Sequence, residues 1–341
     1  SKAQALEPLV SAAARHNIDG AHDLILLPDS ALAEEPVAAS YTDPILKHDR
    51  GRMLGLIRRL RDLGLVVRSA PPALYDWVFC IAKKNDQLRL VFDCRTANQR
   101  CRTPPKTYLA TPGAICNLHF PQGPQRLSFS AIDLVDSFYL FRWTKLAELF
   151  ALDVVVYAWE VSETRVFDPD LGRSREVPPD EPLYACLSTL PMGWSWSLYF
   201  CHDVTTECML AAEVRRGVPR GIAEQGVLRD HRAPPHLADN GVILAPYVDN
   251  ANYITCNAAI AEQCVDALGD ELRARGLAHR VEARSVPCLD ASGLRLDGRR
   301  LFVTILPWRV WRLRRALLAL IQQGQCSGDV LRVINCHNLH A

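Results

Sequence analysis

No apolar run in this sequence approaches the ~20 residues that a helix needs to cross a bilayer, which excludes a helical membrane span. The first residues carry none of the features of a signal peptide. They also begin with Ser rather than Met, which points to a piece cut from a longer polypeptide. Excess charge is missing as well: 39 basic against 38 acidic residues leave a net charge of +1, so bulk charge identifies no partner. There is no internal repeat and no heptad run. The twelve cysteines lack any C-x-x-C spacing. They are scattered from Cys80 to Cys336, and Cys80, Cys186 and Cys288 lie in apolar runs. This pattern predicts small buried hydrophobes in a reducing, intracellular compartment, cytoplasm or nucleus, rather than disulfides or zinc. Cys336-His337-x-x-His340 comes nearest to a zinc motif and has no second ligand pair. A hydrophobic content of 49% and a charged content of 23% mark a folded chain. At 341 residues it has room for two or three domain-sized units or one large divided structure.

What the sequence does have is centred on Val242–Thr255, VILAPYVDNANYIT. Two short apolar runs flank Asp249-Asn250, and Asp and Asn belong in turns because their side chains bond nearby backbone. This predicts a hairpin with an acidic tip. A second stretch, Ala131–Tyr139 (AIDLVDSFY), puts Asp133 at the end of a β-rich run. Two carboxylates brought face to face from separate strands make the hard-oxygen site that holds Mg²⁺ for phosphoryl transfer.

The remaining elements follow in order. Residues 1–40 have weak periodicity and read as a leader or linker. Met53, Leu56, Ile57, Leu60 and Leu63 recur at helical spacing, with Gly64 as the stop. Arg58, Arg59 and Arg61 form one basic cluster and Arg309, Arg312, Arg314 and Arg315 another. Such clusters track a phosphate backbone or line a solvated helix face. Trp77–Asn98 alternates as a hairpin with Lys83 and Lys84 at its tip and Arg89 on the return strand. Phe150–Val161 predicts a strand partnered by Leu183–Leu187 across a polar loop, Asp168–Asp180. Leu190–Ser197 (LPMGWSWS) is a turn, with Ser197 capping a helix to about Val214. Ala258–Arg275 reads as a helix ending at Gly276. Val286–Leu289, Leu294–Leu296 and Leu301–Thr304 read as short strands. The helix Trp308–Gln323 puts Val310, Leu313, Leu317, Leu320 and Ile321 on one side.

In this order the parts resemble the polymerase domain of reverse transcriptases of retroelements, of the retroviral, long-terminal-repeat or tyrosine-recombinase kind. The resemblance runs from about Ile45 to Ala341. It implies an α+β right-hand polymerase with fingers, a palm of antiparallel sheet backed by helices, and a partial thumb. The implied division is an N-terminal extension (1–44), fingers (45–125 and 145–189), palm (126–144 and 190–297) and thumb or start of a connection (298–341). AIDLVDSFY is similar to the first palm motif, which makes Asp133 a metal ligand. Asp136 and Ser137 then lie at the triphosphate, and Phe138 is the ring that excludes a 2′-hydroxyl. LPMGWSWS is similar to the Leu-Pro-Gln-Gly motif, with Met192 where Gln is usual and Gly193 admitting the nucleotide. YVDN is similar to Tyr-x-Asp-Asp: Asp249 is the second metal ligand, and Asn250 replaces the second Asp. Lys83, Lys84 and Arg89 match the phosphate-holding cations of the fingers hairpin. Arg95, Trp194, Ser197, Tyr247, Arg309, Arg312 and Arg315 match positions on the nucleic acid. The implied activity is template-directed DNA synthesis with Mg²⁺ (or Mn²⁺), a template–primer and deoxynucleoside triphosphates. Asn250 and Met192 also fit an alternative, an impaired relic that binds nucleic acid or a protein without turnover.

Overall fold

The structure is a computed structural model describing residues 3–32, 41–69, 74–82, 88–119, 126–168, 173–237 and 241–332. The chain divides into two compact units. The first comprises Ser1–Thr107, Leu134–Cys208 and Leu272–His279; the second comprises Tyr108–Asp133, Met209–Glu271 and Arg280–Ala341.

The first unit is built on a five-stranded sheet. Its strands run in the order Val66–Ser69, Pro182–Leu187, Ala151–Tyr157, Tyr75–Ala82, Leu88–Asp93. The two hairpin-forming runs around residues 75–93 pair antiparallel, Val78 opposite Phe92. Pro182–Leu187 pairs antiparallel with Ala151–Tyr157, as the alternation predicts. The stretch read as a polar loop instead supplies part of a further hairpin, Arg165–Asp168 with Arg173–Glu176. The helix Arg50–Asp62 starts where the Asp49 side chain accepts the Arg52 amide and buries Met53, Leu54, Ile57 and Leu60. It ends at Gly64, φ 70°, a left-handed stop that suits glycine. Two arginines of its basic cluster, and Arg50 before them, bond within the protein, while Arg59 is exposed. Arg50 pairs with Glu160, Arg58 donates to the Glu160 carbonyl at 2.5 and 2.8 Å, and Arg61 donates to the Val161 carbonyl. Arg58 and Arg61 thus fasten the helix to a turn.

The start of the chain also departs from the leader-or-linker expectation. Gln4–Ala5 pairs parallel with Phe141–Arg142, and Leu6, Ile18 and Ile25 are fully buried. Ser11 caps the helix Ala12–Asp19 and binds both oxygens of Asp203. Weak periodicity hid this segment because its buried residues are spread over short elements.

The second unit holds a four-stranded sheet in the order Ile243–Tyr247, Asn250–Thr255, Ser128–Leu134, His279–Val286. The last of these strands was not foreseen; its HRVEARSV alternation is mostly polar. Buried Ser130 ties the layers together. Its hydroxyl donates to the Ala261 carbonyl in the helix Ala258–Ala274 and accepts the Ser285 amide. A three-stranded sheet, Cys288–Ala291, Leu294–Asp297 and Phe302–Ile305, adds Leu289, Leu294 and Leu296 to a core with Phe129, Ile243 and Ile254. The helix Pro307–Gln323 buries none of its residues, and the expected apolar side stands exposed at Val310, Leu317 and Ile321.

The cysteines follow the buried reading only in part. Cys94, Cys101, Cys186, Cys201, Cys208 and Cys264 are buried free thiols, but Cys116, Cys256, Cys288 and Cys326 are exposed. Cys288 opens an exposed strand position, so its apolar neighbours misled. Lys83, Lys84 and the Cys336-His337 motif lie outside the described residues. Among the described residues, no helix is long and apolar enough to cross a membrane.

Candidate active site

The acidic hairpin forms in the second unit. Tyr247 pairs with Asn250 and Pro246 with Ala251, closing a two-residue turn of Val248 and Asp249. The turn is therefore shifted one residue back from the Asp249-Asn250 expected, and Asn250 opens the outgoing strand. Val248 takes φ 55°, an uncommon conformation for a β-branched residue. Such strain costs on the order of 1–3 kcal/mol and persists only where the surroundings hold it. They do: the outgoing strand buries Tyr253 and Thr255, and Asn252 donates to the Ala245 carbonyl at 3.2 Å.

Register then sets the first acid against the outgoing strand of the hairpin. Asn250 is the cross-strand partner of Asp133, and Ala251 of Ile132. Paired residues share a face of the sheet. Asn250 also donates its amide to Asp249 Oδ1 at 3.0 Å. So Asp133, Asn250 and Asp249 form one polar group at the end of two strands, all half-buried. Arg280, on the neighbouring strand, donates to Asp133 Oδ2 at 3.2 Å and to Glu282 Oε1 at 2.7 Å.

The donor set suits a hard divalent cation. It offers carboxylate oxygens from a strand end and from the neighbouring turn, and a guanidinium already supplies positive charge to the first of them. Among the described residues no three His, Cys, Asp or Glu side chains converge, so water or a ligand phosphate must complete any coordination shell.

In the first unit, the residues carried by resemblance divide. Asp136 is exposed at φ 51°, and Phe138 is half-exposed beside it. Ser137 is only 2% exposed. Arg89 is exposed on its strand opposite Ile81. Gly193 has φ 126°, and a Cβ there would overlap the Phe92 carbonyl oxygen. The glycine is required by this strand, which also donates the Phe92 amide to the Met192 carbonyl at 3.1 Å. Asn98 completes the clamp: its side chain donates to the Gly193 carbonyl and accepts the Ser195 amide. Nothing in the sequence singled out Asn98.

Arg95 forms a fork with Asp93 at 2.7 and 2.6 Å. That fork holds the Asp93 carboxyl below its usual range, and the carboxyl also accepts the Tyr41 amide. Tyr41, Phe79, Phe92, Asp93, Arg95 and Gly193 line a cavity of about 310 Å³. Two of the nucleic-acid positions are buried. Trp194 is 2% exposed, stacks on Trp143 at 5.1 Å and donates to Cys101 Sγ. Ser197 is buried within the first turn of the helix Ser195–Arg215, and its hydroxyl donates to the Pro191 carbonyl rather than capping the helix. Both belong to the core. In the second unit, Tyr247 is half-exposed next to the turn, Arg312 and Arg315 are exposed, and Arg309 lies 5.8 Å from the Trp308 ring centre.

No family model matches the sequence, and no curated protein matches it. Solved structures do. One is a foamy viral protease-reverse transcriptase in complex with double-stranded DNA, at 14% identity and a TM-score of 0.54. The match covers 97% of this chain and 50% of that one, so the chain spans half the length of that structure. At this identity the likeness is one of fold: a mixed helix-and-sheet architecture like that of a reverse transcriptase.

Proposed function

We propose that this chain is the polymerase part of a retroelement reverse transcriptase and extends a primer by template-directed DNA synthesis. The observation that carries the proposal is the strand register that sets Asp133 opposite Asn250, whose amide donates to Asp249. In the reaction the primer 3′-hydroxyl attacks the α-phosphorus of a deoxynucleoside triphosphate, and pyrophosphate leaves. Asp133 and Asp249 would hold Mg²⁺ (or Mn²⁺), which when bound would supply Lewis-acid chemistry at the hydroxyl and the leaving oxygens. Arg89, with Lys83 and Lys84, neutralises the triphosphate. The resemblance gives Phe138 the exclusion of a 2′-hydroxyl. Arg309, Arg312 and Arg315 follow the duplex backbone as point charges. In this reading the fingers, palm and thumb keep the boundaries drawn from the sequence.

A second reading is a palm that binds nucleic acid without turnover. The observation in its favour is that Asn250, in place of a carboxylate, spends its amide on Asp249. One assay separates the two: extension of oligo(dT) on poly(rA) with dTTP and Mg²⁺. The active reading expects extension that Asp133→Asn and Asp249→Asn each abolish. The binding-only reading expects a shifted template–primer and no extension by the unaltered chain.

A further inference from the structure

The strand that places Arg280 has no part in the motifs above, yet its guanidinium sits on the first acid of the pair. Arg280 is held by two carboxylates at once, Asp133 at 3.2 Å and Glu282 at 2.7 Å. Residues two apart on a strand share a face, so Glu282 is a fixed neighbour of Arg280. The Arg280 side chain is 63% exposed, against 21% for Asp133. The cation is therefore on the solvent side and can swing at little cost, whereas the acid is anchored in the sheet. Clustered carboxylates repel unless a positive charge lies among them. A guanidinium meets that need, and it competes for the oxygens that a divalent ion would use.

We propose that Arg280 is a built-in counter-cation for Asp133, displaced toward Glu282 when a divalent metal binds. The proposal rests on the metal-site reading of Asp133 and Asp249. It makes metal affinity an adjustable property: Arg280 lowers it, and Glu282 restores part of it by receiving the guanidinium.

The test is a Mn²⁺ titration of the full chain, followed by electron paramagnetic resonance of free Mn²⁺ at constant ionic strength, with no nucleotide or nucleic acid. Arg280→Ala is expected to bind Mn²⁺ about fivefold tighter, the scale of an exposed ion pair. Arg280→Lys keeps the charge on a shorter side chain with a point-like ammonium in place of the guanidinium, and is expected to fall between Arg280→Ala and the unaltered chain. Glu282→Ala is expected to weaken binding, and an unchanged value overturns the hand-over. Asp133-dependent binding that is equal or weaker in Arg280→Ala overturns the counter-cation while leaving the metal site in place. Loss of Asp133 dependence in both chains, read from Asp133→Asn, overturns the metal site and this inference together. Arg280 is exposed, so its truncation leaves the fold intact.

Discussion

Gly193→Ala separates a structural from a ligand-binding role for the Pro-Met-Gly turn. The residue sits at φ 126°, with the Phe92 carbonyl carbon 3.5 Å and Cys94 Sγ 3.6 Å from where a Cβ would be. The Phe92 carbonyl oxygen is closer still. Forcing an alanine into that backbone conformation costs on the order of 1–3 kcal/mol. The clash is with backbone, so it is relieved only by moving the strand Leu88–Asp93 or the turn, as in overpacking, for about another 1–3 kcal/mol. Movement also stretches the Phe92–Met192 bond and the Asn98 clamp. The sum, about 2–6 kcal/mol, is a large part of an ordinary stability of roughly 5–15 kcal/mol. Gly55→Ala is the control. Gly55 lies in the helix Arg50–Asp62 with nothing within 4 Å of its added Cβ. Alanine there is expected to stabilise by about 0.5–1 kcal/mol. The assay is urea unfolding followed by tryptophan fluorescence, with Trp194 next to the substituted turn. A loss below about 1 kcal/mol in Gly193→Ala, within the range of ordinary substitutions, refutes the steric argument. A stable Gly193→Ala protein that no longer extends a primer moves the role of the glycine to the nucleotide.

Asn250→Asp replaces the amide that donates to Asp249 with a carboxylate facing it. Without metal it is expected to lose about 1 kcal/mol, the worth of one hydrogen bond. Millimolar Mg²⁺ should restore the loss, which thermal unfolding with and without the ion measures; an ion-independent loss contradicts the two-carboxylate site. Asp76 is fully buried, and desolvation pushes its carboxyl up to about 8, with the Cys94 thiol acting the other way. A raised native pKa means that the folded chain binds the proton more tightly than the unfolded chain. Its contribution to stability is therefore complete below about pH 4, declines between about 4 and 8, and is gone above that. Asp76→Asn should flatten this decline in urea midpoints measured across the window. An unchanged pH slope rules out Asp76 as its source.

Where local chemistry decides, the sequence was legible. The hairpin at Trp77–Asn98, the pairing of Phe150–Val161 with Leu183–Leu187, and the helix ending at Gly64 each announce themselves by a period of two or 3.6 and a turn residue. The acidic hairpin was read one residue out of step. Asp and Asn favour turns in general, whereas the Tyr247–Asn250 pairing fixes which two residues actually turn. Tryptophan and serine in LPMGWSWS matched a ligand-binding motif, yet Trp194 packs on Trp143 and Ser197 bonds to Pro191. A motif match conveys residue type, and burial is settled by the neighbours. The segment around Leu6, Ile18 and Ile25 was illegible for the same reason: its apolar residues are sparse and their partners lie far along the chain.

The sequence by itself determined the local units. It put a carboxylate at the end of one apolar strand and another in the turn of a hairpin, because alternation and turn propensity act over a few residues. Only the tertiary structure decided that Asn250 faces Asp133, that Arg280 reaches the same oxygens, and that Gly193 lies under the Phe92 carbonyl. Those choices depend on how strands far apart in the chain align when their apolar faces share one core. A shift of one residue in that alignment would have turned every side chain to the opposite face.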